Sequence, residues 1–308
     1  MILLTGATGF IGEAVLKQLP AEQVVVFGRT APRQPTAAFH AGEINASTQF
    51  ETALKDVDVV IHTAARVHMM DEQSAHPLEE FRQVNTQGTL NLAAQAAKAG
   101  AKRFIFISSV KVNGERSDTT AFRYDDKPAP EDAYSQSKAE AEAGLLQLAK
   151  ETGLEIVIIR PPLVYGPGVK ANFASIQKLA QKNLPLPLGA IHNKRSMVAL
   201  DNLTDLIITC ISHPAAANQI FMVSDDRDLS TTELLEMLTQ AAGKKPRLLP
   251  VPQKYLIAFA TLFGKKTIAD RLCGSLQVDI SHTRTTLDWA PPLSVEEGIK
   301  RCFTTGTV

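Results

Sequence analysis

The sequence predicts an α/β chain: a doubly wound parallel sheet followed by a smaller, mostly helical C-terminal domain. Two observations carry this. Short runs rich in Val and Ile recur up to Tyr165, and each fits a strand buried on both faces. Segments with helical patterning lie between most of them, and strands that alternate with helices build parallel sheets.

In chain order, "ILLTG" is the first strand and "GEAVLKQLP" the helix after it. "VVVFG" is the second strand and "DVVIHT" the third, followed by the helix "VNTQGTLNLAAQAAKAG". "RFIFISS" is the fourth. The helix "YSQSKAEAEAGLLQLAKETG" ends on Gly153, a suitable C-cap. "EIVIIRPPLVYG" is the next strand. The chain from Gly166 to about Ser196 is then Pro- and Gly-rich around one short helix, "QIFMVSD" is a late strand, and from about Asp225 the pattern is helical and polar. The predicted division is residues 1–165 with about 198–224 for the sheet domain, and 166–197 with 225–308 for the second.

Composition narrows the classes. The chain has 308 residues, 44% apolar, enough for a sizeable core and about two domains. Lys and Arg total 32, as do Asp and Glu, so no global field draws in nucleic acid or an anionic membrane. Cys210, Cys273 and Cys302 read as buried, reduced thiols, and the histidines do not converge on carboxylates, so no metal site is expected. "MILLTG" shows no charged leader, which predicts no signal peptide and a cytoplasmic location. "YLIAFATLFG", Tyr255 to Gly264, is too short to span a bilayer and reads as a core helix.

Two motifs bear chemistry. "TGATGFIG" sets Gly6, Gly9 and Gly12 between a strand and a helix, where glycines let the backbone turn tightly and approach a pyrophosphate seated on the helix N-terminus. This predicts dinucleotide binding. "YSQSK" sets Tyr134 and Lys138 four apart, on one helix face. A neighbouring ammonium favours the phenolate and lowers the tyrosine pKa, so the pair can exchange a proton with a sugar hydroxyl or ketone. Ser108 and Ser109 end the strand "FIFISS", where a doubly wound sheet binds ligands.

These motifs, with "RPPLVYGPG", make the chain resemble the extended short-chain dehydrogenase/reductases, and among them the nucleotide-sugar epimerase/dehydratase group. The resemblance implies a Rossmann-type domain holding NAD or NADP, a C-terminal domain holding a nucleoside-diphosphate sugar, and a homodimer paired through the two Ala- and Leu-rich helices. It implies that Gly6, Gly9, Phe10, Ile11 and Gly12 line the pyrophosphate, that Glu43 and Ile44 meet the adenine, and that Ala64 and Ala65 run along the cofactor. It places Asn85 near the active site and Ser108 beside Ser109, the catalytic hydroxyl. Tyr134 becomes the acid–base, Lys138 its partner on the nicotinamide ribose, and Pro161 to Val164 the nicotinamide's neighbours. Lys111, Asn172, Arg195 and Arg271 fall to the sugar nucleotide. Dehydratases of the group carry Thr-Asp-Glu where this chain has Ser109-Val110-Lys111. Without those carboxylates it is not expected to eliminate water.

Arg29 follows the second strand, where the adenosine ribose is met. A carboxylate there suits NAD, whereas a guanidinium, aided by Arg33, suits a 2′-phosphate. NADP is therefore preferred over NAD. That tilts the reading toward a 4-keto-sugar nucleotide reductase, with a UDP-hexose 4-epimerase holding NAD tightly as the alternative. A non-catalytic NADPH sensor is the third reading, opposed by the Tyr-Lys pair.

Overall fold

The computed structural model describes residues 1–67, 76–117, 119–169 and 171–303, with every side chain among them except those of Ala171, Asn172, Thr267 and Ile268. The strands are β1 (Ile2–Thr5), β2 (Val24–Gly28), β3 (Ala38–Ala41), β4 (Val59–His62), β5 (Arg103–Ile107), β6 (Glu155–Arg160), β7 (Leu163–Tyr165), β8 (Met197–Ala199) and β9 (Gln219–Met222). The helices are α1 (Phe10–Gln18), α2 (Pro77–Phe81), α3 (Thr89–Lys98), α4 (Ala133–Thr152), α5 (Ala171–Lys182), α6 (Leu200–Ser212), α7 (Thr231–Ala241), α8 (Gln253–Leu262), α9 (Lys266–Cys273), α10 (Ser281–Leu287) and α11 (Val295–Arg301).

Seven strands form one sheet in the order β3-β2-β1-β4-β5-β6-β9, and every neighbouring pair is parallel. The chain steps outward from β1 in one direction to β3 and then restarts at β4 on the other side. That reversal opens a crevice at the C-terminal ends of β1 and β4. Side-chain alternation gives the sheet two apolar faces. Leu4, Ile61, Ile105 and Val157 pack with Leu203, Leu206 and Ile207 of α6. Leu3, Val60, Phe104 and Ile158 pack with Leu92 of α3 and Leu145 of α4 on the other face. The doubly wound sheet expected from the sequence is present.

Three details differ from the expectation. β3 is a half-buried edge strand with only four residues, too short and too weakly apolar to stand out. The single strand read in "EIVIIRPPLVYG" is two, because neither Pro161 nor Pro162 can donate to a ladder; β7 leaves the sheet to pair with β8. And α8 is not a core helix: Tyr255, Phe259, Leu262 and the adjoining Phe263 are all exposed.

β7, β8, α5, α7 and α11 gather around a second core of Tyr165, Phe173, Met197, Leu234, Leu238 and Ile299, while α10 packs on β9 with Leu287 in the sheet's core. α8 packs on α9. Among the described residues no helix is long and apolar enough to cross a membrane.

Candidate active site

The glycine loop sits in the crevice. Gly6 has φ +75, and a Cβ there would lie 2.6 Å from the main-chain nitrogen of Ala64. A Cβ on Gly12 would lie 2.2 Å from the Gly6 carbonyl oxygen. Both positions therefore exclude any side chain. The Gly9 amide donates to the Gly6 oxygen at 2.8 Å and closes the turn. Gly9 then caps α1 without a side-chain bond, so the leading amides of α1 point out of the helix end, toward the crevice. Ile11, Ile44 and Val164 are half-buried against the core clusters. These residues fit a dinucleotide: a cradle that only glycine permits, in front of a helix N-terminus.

The strand ends beside the loop are fixed by polar bonds. His62 is buried between the Thr5 hydroxyl, 2.7 Å from Nδ1, and the Thr89 hydroxyl, 2.9 Å from Nε2. Burial, with the Lys138 charge, pushes its pKa down to about 3, so the ring stays neutral. Thr63 donates to the Thr5 carbonyl at 2.7 Å, which places Ala64 against the glycine turn, with half-buried Ala65 next in the chain. Asn85 is fully buried within a π-helical stretch, Arg82–Gly88, that joins α2 to α3. Its side chain bonds both main-chain groups of Arg66, at 2.8 and 3.0 Å, and donates to Ser137 at 3.1 Å. Such widened turns place side chains that a regular helix would misdirect. Arg29 is exposed just past β2, and Glu43 is exposed, its carbonyl accepting from Thr48.

α4 carries the acid–base candidates. It starts on a capping box: Asp132 accepts from the Ser135 amide at 2.7 Å while Ser135 Oγ accepts from the Asp132 amide at 3.1 Å. It ends on Gly153, left-handed at φ 75. The four-residue step sets Tyr134, Lys138 and Glu142 on one face. Lys138 is buried; its Nζ donates to the Ile107 carbonyl at 2.9 Å and lies 4.4 Å from the Phe106 ring centre. Burial brings its pKa down to about 7, against the opposing pull of Glu142. Tyr134 is half-buried, its ring 6.0 Å from that of Phe81. Burial, and then the Asp132 charge, push its pKa up to about 12. The ammonium was expected to lower the phenol pKa. Here both groups are desolvated, and Lys138 spends a bond on the β5 backbone, so each shifts toward its neutral form. Tyr134 is thus a neutral proton donor above a lysine that gains or loses a proton near neutrality.

Ser108 and Ser109 diverge after β5. Ser108 is buried, and its hydroxyl donates to Glu142. Ser109 is half-buried and caps a short turn, its hydroxyl accepting from the Lys111 amide at 3.2 Å. Pro161 is buried and takes the Val110 amide at 3.0 Å. Lys111 lies between Glu115 and Asp132, 2.8 Å from each carboxylate. Burial weakens its charge, but those two bonds outweigh it and raise its pKa. Its ammonium is committed to protein carboxylates rather than held out for a phosphate.

Arg195 is different. It is half-buried, and its guanidinium donates to the carbonyls of Arg271 and Gly274 at 3.0 and 3.1 Å. Burial lowers its pKa, and no carboxylate pairs with it among the described residues. A cation held by two neutral oxygens retains charge for an anionic ligand. Arg271 is exposed on α9. Asn172 lies in α5, its side chain outside the described ones.

Sequence reasoning missed the layer beneath these residues. Glu142 accepts from Arg160 and Ser108, and Arg160 donates to Asn113 at 3.0 Å. The signal was present, since Glu142 continues the Tyr134–Lys138 stripe by one more step of four. Among the described residues no group of His, Cys, Asp and Glu could hold a metal ion.

The chain matches known proteins along its length. The model of the NAD dependent epimerase/dehydratase family matches residues 2–224. The chain is 53% identical over 307 residues to a UDP-glucose 4-epimerase of Vibrio cholerae, covering 97% of this chain and 93% of that protein. It is 26% identical over 321 residues to the N-acetyl-alpha-D-glucosaminyl-diphospho-ditrans,octacis-undecaprenol 4-epimerase of Escherichia coli O157:H7, covering 97% and 93%. Its fold is similar to that of UDP-glucuronic acid 4-epimerase from Bacillus cereus in complex with NAD, with a TM-score of 0.75 at 22% identity over 97% of this chain and 96% of that one. UDP-glucose 4-epimerase from Thermotoga maritima, with UDP-glucose, gives 0.76 at 22% identity over 98% and 96%.

Proposed function

The chain belongs to the NAD-dependent epimerase/dehydratase family, and from that premise we propose that it is a 4-epimerase of UDP-glucose type. The observation that carries this reading is the 53% identity to a UDP-glucose 4-epimerase over nearly the full length of both chains. It displaces the 4-keto-sugar reductase that Arg29 favoured, and it makes NAD rather than NADP the expected resident cofactor.

NAD, when bound, would supply a reversible hydride acceptor at the sugar C4. The glycine loop and the N-terminus of α1 would hold its pyrophosphate. Tyr134 would exchange the proton at O4: its phenolate form accepts that proton when C4 is oxidised, and the neutral phenol returns it when C4 is reduced. Lys138, when it carries its proton, stabilises that phenolate. Ser109 holds O4 beside Tyr134, and Arg195 meets the diphosphate. Ser109-Val110-Lys111 offers no free carboxylate for a dehydration, because Lys111 itself occupies the nearby Asp132 and Glu115.

The test is turnover of UDP-glucose by purified protein with no added nicotinamide nucleotide. Conversion to the C4 epimer supports the reading. A product formed only as added NADPH is consumed, one for one, restores the reductase.

A further inference from the structure

α8 is an exposed apolar helix within a basic stretch of chain. Tyr255, Phe259, Leu262 and Phe263 are 59%, 65%, 80% and 60% exposed, and Leu249, four residues before α8, is 52% exposed. A folded chain rarely leaves so many large apolar side chains together in water. Phe259 and Phe263 lie against each other, ring centres 4.6 Å apart and planes tilted by 42°. Beneath them, between α8 and α9, an apolar cavity of about 390 Å³ is lined by Leu188, Leu256, Phe259, Phe263 and Leu272.

In the chain segment that carries this patch the charges are of one sign. Between Glu236 and Asp270 there is no acidic residue, while Lys244, Lys245, Arg247, Lys254, Lys265 and Lys266 all fall there. All six are exposed, and none forms a salt bridge among the described residues. Lys244 donates to the Gln181 carbonyl. The chain is neutral overall, yet this segment is strongly basic. With ten residues α8 is about 15 Å long, half the roughly 30 Å of a bilayer core, so it can lie in the interface but not span it.

We propose that α8 and its basic flanks dock the protein on an anionic lipid surface, with Phe259, Leu262 and Phe263 sunk among the acyl chains and the six cations against the headgroups. Complementary charge selects the lipid: neutral apolar partners would give the cations no role. The docked face lies one helix from the candidate diphosphate site, because the Arg271 carbonyl of α9 is a partner of Arg195.

The experiment is co-sedimentation of the full chain with vesicles of phosphatidylglycerol mixed into phosphatidylcholine, against phosphatidylcholine alone. Binding is expected to rise with the phosphatidylglycerol fraction and to fall as salt screens the headgroups. Leu262→Ser with Phe263→Ser, and separately Lys244→Glu with Lys245→Glu, should each lower partitioning by roughly tenfold or more. These side chains are exposed, so unchanged thermal melts of the variants confirm that folding is intact. Equal binding to both vesicle types, or binding indifferent to both variants, overturns the proposal. So does self-association that Leu262→Ser with Phe263→Ser abolishes in the absence of vesicle binding, which would make the patch a contact between two copies.

Discussion

Arg160 and Glu142 meet in the protein interior, Nη2 2.5 Å from Oε2 and Nε 3.0 Å from Oε1, each side chain no more than 3% exposed. The pair ties the end of β6 to the middle of α4, and through the Ser108 hydroxyl to the end of β5. Removing one partner strands the other charge in a dry site. Glu142→Gln or Arg160→Met should therefore cost about 3–5 kcal/mol of stability, read from urea midpoints. Replacing both with apolar side chains of similar volume should recover part of that loss, because no unpaired charge remains. A loss no larger than that of an exposed pair would mean water reaches the site.

Tyr134→Phe keeps the ring against Phe81 and removes only the phenolic proton. Turnover should fall by about 10²–10⁴-fold with little change in nicotinamide binding, measured by fluorescence titration. Lys138→Met should lower both, and should erase any inflection near pH 7 in the rate profile.

Stability should rise with pH in two separate windows. His62 has a folded pKa of about 3 against 6.5 for the free side chain, so between those values the unfolded chain binds a proton that the folded one refuses. Its contribution is complete above 6.5 and is lost as pH falls through about 3. The slope from this one group is at most about 1.4 kcal/mol per pH unit. Lys138 acts likewise between about 7 and 10.5, where the folded lysine has released its proton and the unfolded one has not. Denaturation midpoints across pH should show both limbs, with His62→Asn flattening the acid one.

Arg29 bears on cofactor choice independently of the reaction. It is an exposed cation just past β2. Arg29→Asp should weaken NADPH binding by about 10- to 100-fold, as one charge-assisted contact is lost and repulsion added. NAD affinity should change by a few-fold at most. Titrating both nucleotides against wild type and variant checks this, and equal losses for the two would remove Arg29 from any role at the 2′ position.

A dimer through α3 and α4 is expected. Leu90 at the start of α3 already presses on Gly144 of α4, where a Cβ would come within 2.6 Å of it. That contact leaves the two helices flush, as a four-helix interface requires. Gly144→Leu should separate them and lower the dimer mass measured by light scattering.

The sheet and the order of its motifs were legible because each rests on local chemistry. Buried parallel strands must be continuously apolar, and "VVVFG" and "RFIFIS" are. Glycine must stand where a Cβ would strike backbone, and Gly6 and Gly12 do. What stayed hidden depends on distant partners. Nothing in "AAFHAG" marks β3, which exists because Val25 and its neighbours offer it an edge. Spacing alone could not tell that Lys138 bonds Ile107, that Ser108 turns inward to Glu142, or that Lys111 lies between two carboxylates. Apolar composition likewise could not distinguish a helix in the core from α8, which has the residues of one and the exposure of the other.

The pairing of β6 with β9 joins Val157 to Gln219. During synthesis β6 therefore emerges well before its outer neighbour exists. Until Gln219 to Met222 arrive, Ile156, Ile158 and Ile159 belong to a bare parallel edge, the kind of template on which nascent chains join one another. Everything from Pro161 through α6 must be made, and its ends brought together, before that edge closes, so the last strand is also the slowest to be gained. A chain stopped before Gln219 would carry an intact glycine loop and an intact α4 and would still be a hazard to the cell that made it.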